Sequence, residues 1–130
     1  MELNQKQEEK IKELAEKYNI NFFILFGSQV DGRTHSESDV DIGFEAEEKL
    51  EFRERARLNS ELTGVFGNDR VDLVNLHTAS PLLFYKIMKD GEVIYTNDPM
   101  LNHELYVYAF KKYVETKPLR KRKREKLKNK

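Results

Sequence analysis

The feature that most constrains this chain is an apolar segment that ends in a glycine-serine pair. Phe22–Phe26 is continuously apolar, which is typical of a strand covered on both faces, and Gly27-Ser28 follows it directly. After ten further residues, Asp39 and Asp41 alternate with apolar residues, the period-two pattern of a strand with one polar face. The sequence therefore predicts two strands joined by a polar loop, with a tight turn at one end of the loop and two carboxylates at the other.

Length and composition favour one domain without disulfides. The 130 residues can bury a core but leave no room for a second catalytic domain, so we expect a single α/β (α+β) domain over residues 1–116. The absence of cysteine excludes disulfides, thiolate zinc sites and cysteine nucleophiles, which leaves oxygen and histidine as metal ligands. No apolar run approaches the roughly 18 residues that span a bilayer, and Met1–Lys10 is too polar for a signal peptide, so we expect a cytoplasmic protein without a membrane segment.

The formal net charge of zero hides an uneven distribution of charge. Residues 117–130 contain nine Lys or Arg and one acid, a net charge of +8, while residues 1–116 contain 14 basic and 22 acidic residues, a net charge of −8. We expect residues 117–130 to form a basic, flexible C-terminal tail. This tail is either solvated, in contact with an acidic partner, or bound to nucleic acid through counterion release without base recognition.

Capping residues and apolar periodicity predict four helices. Asn4 is an N-cap for the first, and Ser80-Pro81 and Asp98-Pro99 are typical starts of the last two. The expected helices cover about residues 5–18, 46–62 and 81–90 and a stretch after residue 99. Two further strands are expected at about residues 70–76, which include Asp72, and 92–95.

The last predicted helix carries two adjoining apolar stripes. One consists of Leu101, Leu105, Tyr108 and Ala109, and the other of Tyr106, Phe110 and Tyr113. One stripe is enough to dock a helix on the domain. The second is either part of the core or a surface for a partner, and the sequence leaves both interpretations open.

Three acidic residues on neighbouring predicted strands indicate a divalent cation. Asp39 and Asp41 share a face about 7 Å apart along one strand, Gly43 leaves space beside them, and a paired strand would bring Asp72 to about 4.8 Å. Carboxylates converging at about 4 Å repel by about 4 kcal/mol at an effective dielectric of about 20. Such a cluster takes up a proton or binds a cation, and an all-oxygen site best suits Mg²⁺ or Mn²⁺.

The glycine-serine pair supplies hydrogen-bond donors opposite these carboxylates. Glycine lets the backbone approach a phosphate, and the amides of the following turn and the Ser28 hydroxyl can donate to its oxygens. The two halves describe a nucleoside triphosphate pocket, in which two metals about 3.5–4 Å apart promote in-line attack at phosphorus. Asp39 and Asp41 would bridge both ions, and Asp72 would contact one of them and act as the general base. The simpler interpretations are a plain strand-to-helix turn at Gly27, an Asx turn at Asp39 and a solvent-facing Asp72.

This pattern resembles the minimal nucleotidyltransferases of the DNA polymerase β-like superfamily. The resemblance rests on Gly27-Ser28, Asp39-x-Asp41 and Asp72, and on the order of elements over about residues 5–113. The chain is similar in particular to the antitoxin of HEPN/MNT toxin-antitoxin pairs. The resemblance implies a small mixed sheet flanked by helices, magnesium and ATP as cofactors, and transfer of AMP to a hydroxyl. In the antitoxin group it implies that the acceptor is a tyrosine of the cognate HEPN ribonuclease.

The same resemblance assigns a role to each motif residue. By position, Gly27 and Ser28 would hold the triphosphate, Asp39 and Asp41 the metals, and Asp72 the third carboxylate role. The leading hypothesis is a metal-dependent nucleotidyltransferase that moves AMP from ATP to a partner toxin and so acts as its antitoxin. One alternative is a binding module that neutralises a partner through the last helix without catalysis. Another is an RNA-modifying nucleotidyltransferase that uses the basic tail.

Overall fold

The computed structural model describes residues 3–27, 40–67 and 70–128. These described residues form four helices and a four-stranded sheet. The helices are α1 (Gln5–Lys17), α2 (Phe52–Val65), α3 (Pro81–Asp90) and α4 (Leu101–Lys128), and the strands are β1 (Ile20–Phe26), β2 (Val40–Ala46), β3 (Val71–Asn75) and β4 (Glu92–Thr96).

The sheet has the strand order β3-β2-β1-β4 and is mixed in direction. Strand β1 is antiparallel to both β2 and β4, whereas β2 and β3 are parallel. The first two strands in the sequence are therefore neighbours in the sheet, and β3 is an edge strand. The small mixed sheet flanked by helices, which the resemblance implies, is confirmed.

Helices cover both faces of this sheet. On one face, α1 and α2 form a core with Phe23 and Leu25 of β1, and on the other, α3 and α4 form a core with Phe22 and Ile24. All four side chains are buried, so the prediction that β1 is covered on both faces is confirmed. Strand β1 therefore belongs to both cores and fixes the position of β2 beside it.

Two of the predicted helix caps are present. The Asn4 side chain accepts a hydrogen bond from the Gln7 backbone N–H at 2.8 Å, and the Ser80 hydroxyl accepts one from the Leu83 N–H at 3.2 Å. These bonds satisfy N–H groups that have no partner within the first turn of a helix. The predicted starts of α1 and α3 are confirmed.

The predicted start of the second helix at residue 46 is wrong. Strand β2 extends through Ala46, which pairs with Ile20 of β1, and α2 begins only at Phe52. The Glu54 side chain then accepts a hydrogen bond from the Glu51 N–H at 3.1 Å at the start of α2. Strand pairing overrides the helix propensity of the Ala- and Glu-rich residues that follow Phe44.

Gly43 of β2 faces the core under α3 and α4 rather than an open space. A Cβ at this position would lie 2.8 Å from Leu76 Cδ2 and 3.0 Å from Ile24 Cγ2. The space that the sequence assigns to the carboxylate face is therefore filled by two core side chains.

We expect Gly43→Ala to lower the free energy of unfolding by about 1–3 kcal/mol, because an added methyl group overpacks this core. Urea unfolding measures the change. Gly64→Ala in α2 is a matched control, since nothing lies within 4 Å of a Cβ there and alanine at an exposed helical position stabilises by up to about 1 kcal/mol. A Gly43→Ala protein as stable as the Gly64→Ala protein would contradict the packing.

The two apolar stripes of α4 both contact α3. Leu105 and Ala109 of the first stripe are buried in the core. The second stripe surrounds the Tyr85 ring of α3, with ring centroids at 6.2, 5.8 and 4.6 Å for Tyr106, Phe110 and Tyr113. Phe110 is nevertheless 48% exposed, so the second stripe is only partly covered. Its use as a partner surface stays a prediction.

Helix α4 continues through Pro118 to Lys128, where the sequence predicts a flexible tail. Lys, Arg, Glu and Leu are good helix formers, which accounts for the helical backbone of this segment. The described helix does not test a domain boundary at residue 116, which stays a prediction. Among the helices in the described ranges, including α4 with its 28 residues, none is long and apolar enough to cross a bilayer.

Candidate functional site

One row of paired residues crosses three strands at one end of the sheet. Phe26 of β1 pairs with Asp41 of β2, and Asp41 pairs with Asp72 of β3. Paired residues on neighbouring strands point to the same face, and their strands lie about 4.8 Å apart. The structure therefore brings Asp41 and Asp72 side by side, on the face where Phe26 packs against the core under α3 and α4.

Gly27 lies at the end of this row, directly after β1. Its φ of 84° is in the left-handed region, and a Cβ there would overlap Asp41 Oδ2 and lie 3.2 Å from Asp41 Cγ. Glycine therefore meets two requirements at once, a turn at the end of β1 and a close approach of the backbone to the Asp41 carboxylate. The turn and the carboxylate that the sequence places at opposite ends of the loop are adjacent in space.

The two described carboxylates differ in their exposure to solvent. Asp41 is half-buried beside the apolar core, and Asp72 is exposed on the edge strand β3. Electrostatic interactions of Asp41 are therefore less screened by water than those of a surface carboxylate. Asp72, in contrast, can be reached by a group from another molecule.

Two predicted site residues lie outside the described residues. Ser28, the predicted phosphate donor, and Asp39, the predicted metal ligand, both fall between residues 27 and 40. Their roles stay predictions from the sequence, as do the roles predicted for Gly27, Asp41 and Asp72.

The donor atoms at this row fit a hard divalent cation. Carboxylate oxygens are the ligands that Mg²⁺ and Mn²⁺ prefer, and Asp41 and Asp72 supply them from neighbouring strands. Within the described ranges, no group of three or more His, Asp or Glu side chains is arranged to hold a metal ion. The described pair is thus two-thirds of the predicted set, and Asp39 is the third member.

Two polar side chains of α2, for which the sequence predicts no role, contact the strand that carries Asp72. Asn59 Nδ2 donates to the Val71 carbonyl at 2.7 Å, and Arg55 Nη2 donates to the Leu73 carbonyl at 2.5 Å. The two carbonyls flank Asp72 in the sequence. Spacing alone does not distinguish Arg55 from the other arginines of α2, because the contact depends on how α2 docks beside β3.

A second concave region lies away from this row. A groove of about 680 Å³ between α1 and α2 is lined by polar and charged residues that include Gln7, Glu13 and Glu61. It contains neither Asp41 nor Asp72 and faces away from the core under α3 and α4. The groove therefore contains neither of the described aspartates that the sequence predicts as site residues.

Comparison with known proteins identifies related sequences. Residues 9–100 match the family model described as polymerase beta, nucleotidyltransferase. The protein adenylyltransferase MntA of Shewanella oneidensis is 33% identical over 76 residues, which are 58% of this chain and 54% of MntA. The match thus spans about half the length of that curated relative.

Two solved structures with a similar fold are toxin-antitoxin complexes. One chain of a toxin-antitoxin crystal structure with AMP-PNP superposes with a TM-score of 0.80 at 25% identity, covering 92% of this chain and 97% of that chain. A complex of tri-AMPylated Shewanella oneidensis HEPN toxin with MNT antitoxin gives a TM-score of 0.75 at 23% identity, covering 95% and 97%. The second likeness concerns the fold alone.

Proposed function

Because this chain belongs to the polymerase beta nucleotidyltransferase family, we propose that it transfers AMP from ATP to a tyrosine hydroxyl of a partner HEPN toxin. In this proposal the transfer depends on Mg²⁺ or Mn²⁺, takes place in the cytoplasm and silences the toxin, so the chain acts as an antitoxin. The observation that carries the proposal is the row in which Gly27, Asp41 and Asp72 lie together at one end of the sheet.

The row suits a reaction at the α-phosphorus of ATP. The acceptor oxygen forms a bond to that phosphorus, the bond to the bridging oxygen of the β-phosphate breaks, and pyrophosphate leaves. Asp72 accepts the proton of the attacking hydroxyl, and the backbone at Gly27 with the Ser28 hydroxyl holds the triphosphate. Asp39, Asp41 and Asp72 would hold the metal, which when bound neutralises charge on the phosphates and the attacking oxygen.

The position of Asp72 supports an acceptor from another molecule. Asp72 is exposed on an edge strand, so a hydroxyl of a partner protein can reach the outer end of the row. The relatives support the kind of acceptor, since MntA is a protein adenylyltransferase and the AMP-PNP complex is a toxin-antitoxin pair. ATP binding is supported by the same complex.

A second candidate function is neutralisation by binding alone. It is favoured by apolar side chains of α4 that remain open to solvent, among them Val107 at 49%, Phe110 at 48% and Val114 at 47% exposed. Patches of this kind mark protein interaction sites. In this case inhibition of the partner would require neither ATP nor the carboxylates of Asp41 and Asp72.

The test uses the chain, Mg²⁺, the product of the neighbouring gene and ATP labelled at either the α- or the γ-phosphate. We expect the α-label on the partner protein, and the γ-label in the released pyrophosphate and in unreacted ATP but not on the partner. The γ-label on the partner would indicate phosphoryl transfer and contradict the proposal. Inhibition of the partner without ATP would favour the binding module, and α-label on RNA would favour the RNA-modifying alternative.

A further inference from the structure

Strand β3 is at the edge of the described sheet, where its one strand neighbour is β2. The Val40 N–H donates to the Arg70 carbonyl at 2.6 Å, and the Leu76 N–H donates to the Phe44 carbonyl at 3.0 Å. In a parallel ladder, alternate residues of a strand bond to the same neighbour, so the residues between them direct their backbone groups the other way. The carbonyls of Val71 and Leu73 therefore point to the free edge of the sheet, on either side of Asp72.

Helix α2 supplies one donor for each of these carbonyls. Asn59 bonds Val71 and Arg55 bonds Leu73, at 2.7 and 2.5 Å. The spacings agree, because four residues of a helix rise about 6.0 Å and two residues of a strand rise about 6.6 Å. A helix lying along the edge of the strand can therefore hold both carbonyls at once.

Packing fixes α2 in this position. Leu58 and Leu62 of the same helix are buried in the core with α1 and β1, so the helix carries its polar donors on a rigid support. The Arg55 guanidinium also lies over the Phe44 ring of β2, 5.6 Å from its centroid. The contacts of Arg55 thus join α2 to both strands that carry the described carboxylates.

We propose that Arg55 and Asn59 form a clamp that positions Asp72 relative to Asp41 for nucleotidyl transfer. This proposal rests on the proposed function. Neither donor bonds a carboxylate of the row; both act through the backbone of β3 and are positioning residues. Without the clamp, β3 can shift relative to β2 and carry Asp72 away from Asp41. A misplacement of about 1 Å in a catalytic group can lower a rate by about 10²-fold.

The test removes both hydrogen-bond donors and keeps an unbranched apolar stem at position 55 and a side chain of similar size at position 59. Arg55→Met with Asn59→Leu is compared with Arg53→Met plus Arg57→Met, which changes exposed arginines of the same helix. We expect the clamp variant to lose about 10- to 100-fold in kcat with KM for ATP within about 3-fold of wild type. The control pair should keep the wild-type kcat. Arg55→Lys with Asn59 unchanged, which keeps a donor at both positions, should retain most of the wild-type kcat.

Two further measurements separate positioning from general loss of structure. Hydrogen exchange of the β3 amides should be faster in the clamp variant, while the β1 amides keep their protection. In an Asp72→Asn background, removal of the clamp should lower kcat by less than about 2-fold, since position 72 then has no carboxylate for the clamp to position. Unchanged exchange in β3, a full loss of rate in the Asp72→Asn background, or an equal loss in the control pair would overturn the proposal. An inactive wild-type protein would instead contradict the proposed function, while hydrogen exchange would still test the clamp.

Discussion

Replacing Asp41 with asparagine should lower the rate of AMP transfer by about 10³-fold. Asp41 is the half-buried carboxylate at the centre of the row, and asparagine keeps its shape but removes its charge. Loss of about 4 kcal/mol of stabilisation at a metal-dependent transition state corresponds to this factor. The single-turnover rate of AMP transfer to the partner measures the effect, and thermal unfolding should show a folded protein.

The matched control for this substitution is Glu45→Gln. Glu45 is another half-buried acid of β2, four residues along on the same face as Asp41. It accepts a hydrogen bond from Asn21 Nδ2 at 2.8 Å and lies 3.3 Å from His77 Nε2, away from the row. Glu45→Gln should leave the rate of transfer within about 2-fold of wild type. An Asp41→Asn protein with a rate as high as that of Glu45→Gln would contradict the role of Asp41.

The second large effect is expected from Gly27→Ala, which should lower the rate of AMP transfer by about 10²-fold or more. The added methyl group overlaps the Asp41 carboxylate, so the carboxylate or the turn after β1 has to move. A displacement of about 1 Å is enough for a loss of this size. Alanine at φ of 84° also costs about 1–2 kcal/mol of stability. Transfer rate and urea unfolding are measured on the same protein.

Gly67→Ala separates the two consequences of this substitution. Gly67 has nearly the same φ, 88°, but nothing lies within 4 Å of a Cβ there. The Gly67→Ala protein should therefore lose a similar amount of stability and keep the wild-type rate of AMP transfer. If Gly27→Ala also keeps wild-type activity, the contact between the turn and Asp41 has no part in the reaction.

Local signals in the sequence were sufficient for much of the fold. Asn4 and Ser80 mark helix starts because their side chains bond the first free N–H groups, and this depends on neighbouring residues alone. The apolar run of β1 indicates burial on both faces for the same kind of reason. These predictions need no knowledge of how the elements pack.

Features that depend on packing between distant residues could not be predicted in this way. The segment from Ala46 has helix propensity, but pairing with Ile20 keeps Ala46 in β2. The sequence predicts that Gly43 leaves open space beside the carboxylates, whereas in the structure the Leu76 side chain fills that space. The bond from Arg55 to the edge of β3 likewise exists only once α2 has docked.

The candidate site likewise has some features that the sequence predicts and others that depend on packing. The spacing of Asp39 and Asp41 and the position of Asp72 on another strand follow from periodicity, and the resemblance supplied the expected roles. The parallel pairing that sets Asp41 beside Asp72, and the closeness of Gly27 to Asp41, are tertiary facts. They explain why a glycine and two acids far apart in the chain lie within one small region.

The measurement that tests the central claim most directly compares wild type with the Asp39→Asn plus Asp41→Asn variant. Each protein is incubated with Mg²⁺, ATP labelled at the α-phosphate and the product of the neighbouring gene. We expect label on the partner with the wild-type protein and none with the double variant, which should still fold. Label on the partner that persists in the double variant would contradict catalysis by these two carboxylates.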